Sequence, residues 1–176
     1  MTGKEFIQQL SHGGGDIIAM MIKLLEETGS TYCVIGGLGV NAYTEPVVSL
    51  DLDLVVVASH VDGLRCLAEL RGMQVEEFEH SLNLSRTGSD LRIQLQKDNR
   101  YQAFLGRANK QHVLGYDMMV ASLEDVLQGK VWAYLDNSRR KSKRQKDLAD
   151  ILRLIEAHPE IKSKLPADIL SIVNDE

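Results

Sequence analysis

The sequence predicts an α+β (α/β) protein in which a mixed β-sheet flanked by helices is followed by a C-terminal helical bundle. Three observations lead there. Residues 50–57, LDLDLVVV, alternate apolar and acidic and then turn wholly apolar, as a central strand does. Residues 73–96 break into short strand-like pieces around Thr87-Gly88-Ser89. From Ser122 onward the periodicity is helical. The 176 residues suit one compact unit: a core over 1–120 that includes N-terminal helices, and a helical extension over 121–176 packed on it.

In chain order, 4–10 and 16–28 read as helices. In the second, Ile17, Met20, Met21, Leu24 and Leu25 form one apolar stripe, with Asp16 as N-cap and Gly29 as stop. Gly13, Gly14 and Gly15 between them read as a hinge, because no Gly-Lys-Ser/Thr follows to make a P-loop. A short buried strand, 31–35, ends at Gly36-Gly37. Helical segments are expected at 38–43 and 61–71. Strands are expected at 73–78, 81–86 and 90–96, with shorter pieces at 112–114 and 118–120. Ser122 with Glu124-Asp125 marks a helix start, and helices are expected at 123–135, 144–157 and 166–173.

Composition narrows the function classes. Hydrophobic residues make up 44% and charged residues 26%, an ordinary globular balance that excludes disordered, collagen-like and disulfide-scaffold chains. No apolar run approaches the roughly 18 residues of a membrane helix, and the N-terminus lacks a signal-peptide core. Cys33 and Cys66 fit neither a metal site nor a disulfide framework, so a reduced, cytoplasmic setting is expected. The net charge of −5 offers no global attraction to nucleic acid. One segment stands apart: residues 139–146, RRKSKRQK, hold six basic side chains and no acidic one. It reads as a solvated interhelical turn or as a contact for RNA, DNA or a triphosphate, with Lys143, Arg144 and Lys146 the candidates. The absence of interleaved aromatic residues argues against base stacking.

The chemistry concentrates in residues 34–56, VIGGLGVNAYTEPVVSLDLDLVV. Asp51 and Asp53 stand two apart on a strand and share one face. Like charges held this close call for compensation, and oxygen ligands suit Mg2+ or Mn2+. Alone, the pair equally fits the solvated face of an edge strand. Gly36-Gly37, between a buried strand and a helix start, lets a ligand approach the backbone and offers free N–H groups to an anion; a simple tight turn would use the same glycines. Thirteen residues separate the two features. Together they describe a site for a metal-bound polyphosphate.

Ile35-Gly36-Gly37, thirteen residues, then Asp51-Leu52-Asp53-Leu54 resembles the signature of the DNA polymerase beta-like nucleotidyltransferase superfamily. The phrases ASLEDVLQGKVWAYL and RQKDLADILRLIE, at 121–135 and 144–156, are similar to those of small bacterial nucleotidyltransferase-fold proteins of abortive-infection and toxin–antitoxin systems. The resemblance spans roughly residues 30–157. It implies a nucleotidyltransferase fold and metal-dependent transfer of a nucleoside monophosphate from an NTP to an acceptor hydroxyl on a protein, an RNA or a small molecule. Gly36 and Gly37, with Ser49, would hold the triphosphate, and Asp51 and Asp53 the metal. Lys130 and Lys146 are further nucleotide-binding candidates, although an exposed helix lysine is the simpler reading of Lys130. Lys146-Asp147 and Asp150 resemble a family phrase and equally fit an exposed helix charge pattern.

Two positions depart from that pattern. On the 90–96 strand, Leu91, Ile93 and Leu95 face one way and Arg92, Gln94 and Gln96 the other. Register places Gln94 where the superfamily has its third carboxylate. An amide cannot take a proton near neutral pH, and Asp90 and Asp98 lie about 13 Å along the strand from it. Val47 stands where many relatives carry an arginine. Three readings follow: an active nucleotidyltransferase; a catalytically impaired nucleotide- or partner-binding member, antitoxin-like or regulatory; or a pure interaction module with the carboxylates left as surface charge, which a cleft filled by the N-terminal segment 1–28 would favour. Trp132 is expected in the core, and the five scattered histidines have no metal spacing.

Overall fold

The computed structural model describes residues 15–174 together with Glu5 and Gln9. The expected helix over 4–10 and hinge over 13–15 lie outside the described residues, apart from Glu5 and Gln9, both helical, and Gly15. Seven strands form one mixed sheet, β1 (Tyr32–Ile35), β2 (Asp51–Val56), β3 (Gln74–Glu77), β4 (Ser81–Ser85), β5 (Arg92–Gln96), β6 (Asn109–Val113) and β7 (Tyr116–Val120). Their order across the sheet is β3-β4-β5-β2-β1-β7-β6. β2 is therefore interior, between antiparallel β1 and parallel β5. That excludes the edge-strand reading of Asp51 and Asp53.

Alternation along the strands divides the core in two. Leu52 and Leu54 of β2 join Ile93, Leu95, Leu82 and Leu84 on one face. There they bury the apolar stripe of α1 (Ile17–Glu27) and Leu64 and Ala68 of α3 (Val61–Leu70). Asp16 caps α1, its Oδ1 accepting from Ala19 N at 2.9 Å, and Gly29 follows at φ +59°. Each fully buried aliphatic chain of this kind contributes about 1.5–3 kcal/mol. On the opposite face, Cys33, Ile35 and Val55 pack under α4 (Leu123–Leu135) and α5 (Lys141–Ala157). A 3-10 helix over Asn99–Arg107 adds Tyr101 and Phe104 to the same cluster. α1 thus lies across the sheet from α4 and α5, and residues 17–27 do not fill the space beneath those two helices.

Several boundaries differ from the sequence expectation. The glycines at 36 and 37 open α2 (Gly36–Asn41) rather than preceding it. The pieces expected at 112–114 and 118–120 are a full hairpin, β6–β7, turning through Leu114 at φ 51° and Gly115 at φ 88°. Positions 109–112 are polar because β6 is a sheet edge, where charge discourages further pairing. The 3-10 helix over 99–107 was not expected, although its buried residues Tyr101 and Phe104 stand three apart, one turn of such a helix. α5 starts inside the basic run, at Lys141, and α6 (Ala167–Asn174) closes the described chain.

Candidate active site

Strand register builds the site. Ile35 pairs with Asp53, Asp53 with Gln94, and Gln94 with Asn83, so one row crosses four strands on the face that α4 and α5 cover. Gln94 does sit beside Asp53. Asp51, two residues before Asp53, pairs with Arg92. A cleft of about 130 Å³ opens over this row. Ile35, Gly36, Asp53 and Gln94 form its floor, and Gly129, Lys130, Arg139 and Asp147 its roof.

The glycine turn closes on the carboxylates. Gly36 has φ +65°, a left-handed backbone that side chains resist. A Cβ there would lie 2.8 Å from Asp53 Cγ. A Cβ on Gly37 would lie 2.9 Å from Ser49 Oγ. Ser49 is buried, and its hydroxyl donates to Asp51 O at 3.3 Å. The two glycines thus make room for the Asp53 and Ser49 side chains.

Burial, and then the neighbouring Asp51 charge, push Asp53 up to about 6; Lys130, Arg139 and Lys146 oppose the rise. Asp51 is partly answered by Arg92, whose Nε lies 3.0 Å from Oδ1 at the exposed mouth. Two carboxylates on one face, Asp51 and Asp53, would suit a single Mg2+ or Mn2+. Among the described residues, no group of three or more His, Cys, Asp or Glu is placed to hold a metal. The set therefore lacks the three carboxylates of a two-cation centre.

The roof corrects the reading of Lys130. It is buried, and its Nζ lies 3.0 Å from Asp147 Oδ1 and 2.6 Å from Asp150 Oδ2. Burial alone would lower this ammonium, but the Asp150 and Asp147 carboxylates outweigh it and hold the group above its ordinary value. Asp147 and Asp150 are themselves buried, not an exposed charge pattern. Arg139 Nε completes Asp147 at 2.7 Å, and Arg153 Nη1 completes Asp150 at 2.8 Å. Lys146 is exposed and outside the cleft lining, although its charge reaches Asp53. Of the basic run, Arg139 is the residue that lines the cleft. Arg144 instead donates to Tyr134 O and lies 5.4 Å from the centre of that ring.

Two further groups were not legible in the sequence. Asp125, read only as a helix-start residue, lines the cleft and accepts both Nε and Nη2 of Arg107, at 2.9 and 2.8 Å. Arg153 Nη2 reaches Asn41 Oδ1, Thr44 Oγ1 and Glu45 O. Asn41 in turn holds both N and O of Val47. Val47 is 46% exposed and brings no charge to this loop. Asp98 caps the 3-10 helix by accepting from Arg100 N, away from Gln94. Trp132 is half-buried, stacked on Phe104 with centroids 5.6 Å apart. Cys33 and Cys66 are both free, and burial pushes the Cys33 thiol up to about 12.

Comparison with solved structures places this architecture among nucleotidyltransferases. ANT(2'')-Ia in complex with adenylyl-2''-tobramycin matches with a TM-score of 0.60 at 14% identity, over 89% of this chain and 92% of that one. The lincosamide antibiotic adenylyltransferase LnuA, lincomycin-bound, matches at 0.55 and 14%, over 78% and 95%. An antigenic nucleotidyltransferase-like protein from Paracoccidioides brasiliensis matches at 0.53 and 16%, over 97% and 94%. No protein-family model and no curated protein matches the chain. At these identities the likeness establishes the fold: this chain has the nucleotidyltransferase fold. No helix among the described residues is long and apolar enough to cross a membrane.

Proposed function

We propose that the chain is a nucleotidyltransferase that moves a nucleoside monophosphate from a Mg2+- or Mn2+-bound NTP to an acceptor. The observation that carries this reading is the row Ile35–Asp53–Gln94 under a roof that includes Lys130 and Arg139, with Gly36 closing on Asp53. Asp51 and Asp53 would hold the nucleotide-bound cation, which neutralises charge on the triphosphate and supports in-line displacement. Gly36, Gly37 and Ser49 would cradle the triphosphate. Lys130 adds positive potential from a fixed position, because Asp147 and Asp150 hold it. Lys146 would contribute from the mouth.

The likeness in fold to ANT(2'')-Ia with adenylyl-2''-tobramycin and to lincomycin-bound LnuA supports this reading. A protein or RNA acceptor, as the resemblance to toxin–antitoxin proteins implies, stays within the proposal, as does a cytoplasmic setting. The rival reading is an impaired, nucleotide-binding regulator of the same fold, and it rests on Gln94. Calorimetric titration of ATP, GTP, CTP and UTP with Mg2+ tests the proposal. Wild type should bind at least one of them in a metal-dependent way, and Asp51→Asn/Asp53→Asn should lose that binding. A folded wild type that binds none sinks it.

A further inference from the structure

β5 lies across β2 from the glycine turn that follows β1, so with the triphosphate on that turn it is the side of the cleft left for an acceptor. Its cleft face carries Arg92, Gln94 and Gln96, a cation and two amides. A hydroxyl acceptor must lose a proton when its oxygen attacks phosphorus, and a nearby base normally receives it. Gln94 cannot. The other acidic groups of the cleft are committed. Asp125 is held by both arms of Arg107, and Asp147 lies between Lys130 and Arg139. Asp51 and Asp53 belong to the cation.

Arg92 points to a different acceptor. Its side chain is 61% exposed, and its Nε lies 3.0 Å from Asp51 Oδ1. A cation on Asp51 would release that guanidinium at the acceptor side, where its planar fork suits a phosphate. A phosphate monoester is mostly dianionic at neutral pH, its second pKa being about 6, so its oxygen attacks without a base.

Resting on the function proposed above, we infer that the acceptor is a phosphate, held by Arg92 beside Gln94, and that its own oxygen is the nucleophile. That oxygen forms a bond to the α-phosphorus of the NTP. The bond from the α-phosphorus to the bridging oxygen of the β-phosphate breaks, and pyrophosphate leaves with its electron pair. The product is a phosphoanhydride joining the acceptor to the nucleoside monophosphate. No proton is transferred, and total charge is conserved.

Inorganic phosphate labelled with oxygen-18 is the probe, supplied with Mg2+ and the NTP that binds. Attack by phosphate yields a nucleoside diphosphate labelled in its β-phosphate, plus unlabelled pyrophosphate; simple hydrolysis leaves the nucleotide β-phosphate unlabelled. Asp51→Asn should abolish the labelled product. Calorimetry gives a second readout. Phosphate is titrated into protein saturated with Mg2+ and an α,β-methylene NTP, and Arg92→Ala should weaken its binding about tenfold or more, while NTP affinity is not reduced, because the Asp51 pair that the cation must break is gone. Gln94→Glu should open transfer to glycerol. The inference is overturned if wild type binds Mg–NTP yet makes no labelled diphosphate, or if it transfers to glycerol and not to phosphate. Absence of any Mg2+-dependent NTP binding would instead remove the nucleotidyltransferase reading itself.

Discussion

The Asp53 carboxylate fills the space that a side chain on Gly36 would need. A Cβ at Gly36 would meet Cγ of Asp53 at 2.8 Å, and the backbone there sits at φ +65°. The residue that would hold the cation and the residue that would approach the triphosphate are therefore fitted to each other. Gly29 separates the two demands, since it shares a positive φ (+59°) but has nothing within 4 Å.

Gly36→Ala should accordingly destabilise the fold more than Gly29→Ala. The second carries conformational strain alone, about 1 kcal/mol. The first must also move Asp53 or the turn, and a loss of about 2–4 kcal/mol is expected. Urea unfolding of the two variants measures the difference. Equal losses would show that the turn absorbs a Cβ without moving Asp53.

Asp53 should give stability a pH dependence of defined sign. Burial and then Asp51 raise its carboxyl from 3.8 to about 6. Between those values the folded protein keeps a proton that the unfolded chain has released. The contribution of this group is then most favourable below about pH 4, declines as pH rises to about 6, and is flat above. Asp53→Asn should remove the decline and be more stable than wild type at pH 7 by about 1–3 kcal/mol. Thermal unfolding from pH 4 to 8 checks this, and parallel wild-type and variant curves would refute it.

Lys130 holds two buried carboxylates. Lys130→Met would leave Asp147 with Arg139 alone and Asp150 with Arg153 alone. Removing one partner of a buried ionic cluster typically costs about 3–5 kcal/mol. The same variant should also weaken NTP binding, since a positive group leaves the cleft roof. Unfolding and calorimetry on one preparation test both parts, and an unchanged midpoint would show that the two arginines suffice.

Arg153 acts at a distance. It ties α5 to the loop over 44–47 through Asn41, Thr44 and Glu45, and that loop leads to Ser49 and Asp51. Arg153→Ala should speed amide exchange at Val47, whose N–H donates to Asn41 Oδ1, and lower NTP affinity several-fold. Arg153→Lys should rescue little, because one ammonium cannot replace a fork that serves several acceptors. Exchange rates equal to wild type at Val47 would count against the tether.

Local sequence patterns were enough for the sheet-and-helix class, the shared face of Asp51 and Asp53, the glycine turn and the place of Gln94. These follow from local rules: a strand alternates every residue, and a register once set carries each side chain to a known face. It took the packing of helices on the sheet to show that Lys130 is buried between Asp147 and Asp150, that Arg139 rather than Lys143 or Lys146 lines the cleft, that Arg107 holds Asp125, and that Arg92 lies on Asp51. A helix lysine and its acidic neighbours read alike whether solvated or buried. What separates the two is which helix packs over which strand, a matter of contacts between residues such as Arg107 and Asp125, 18 positions apart, and Arg153 and Asn41, 112 apart, that no local pattern records.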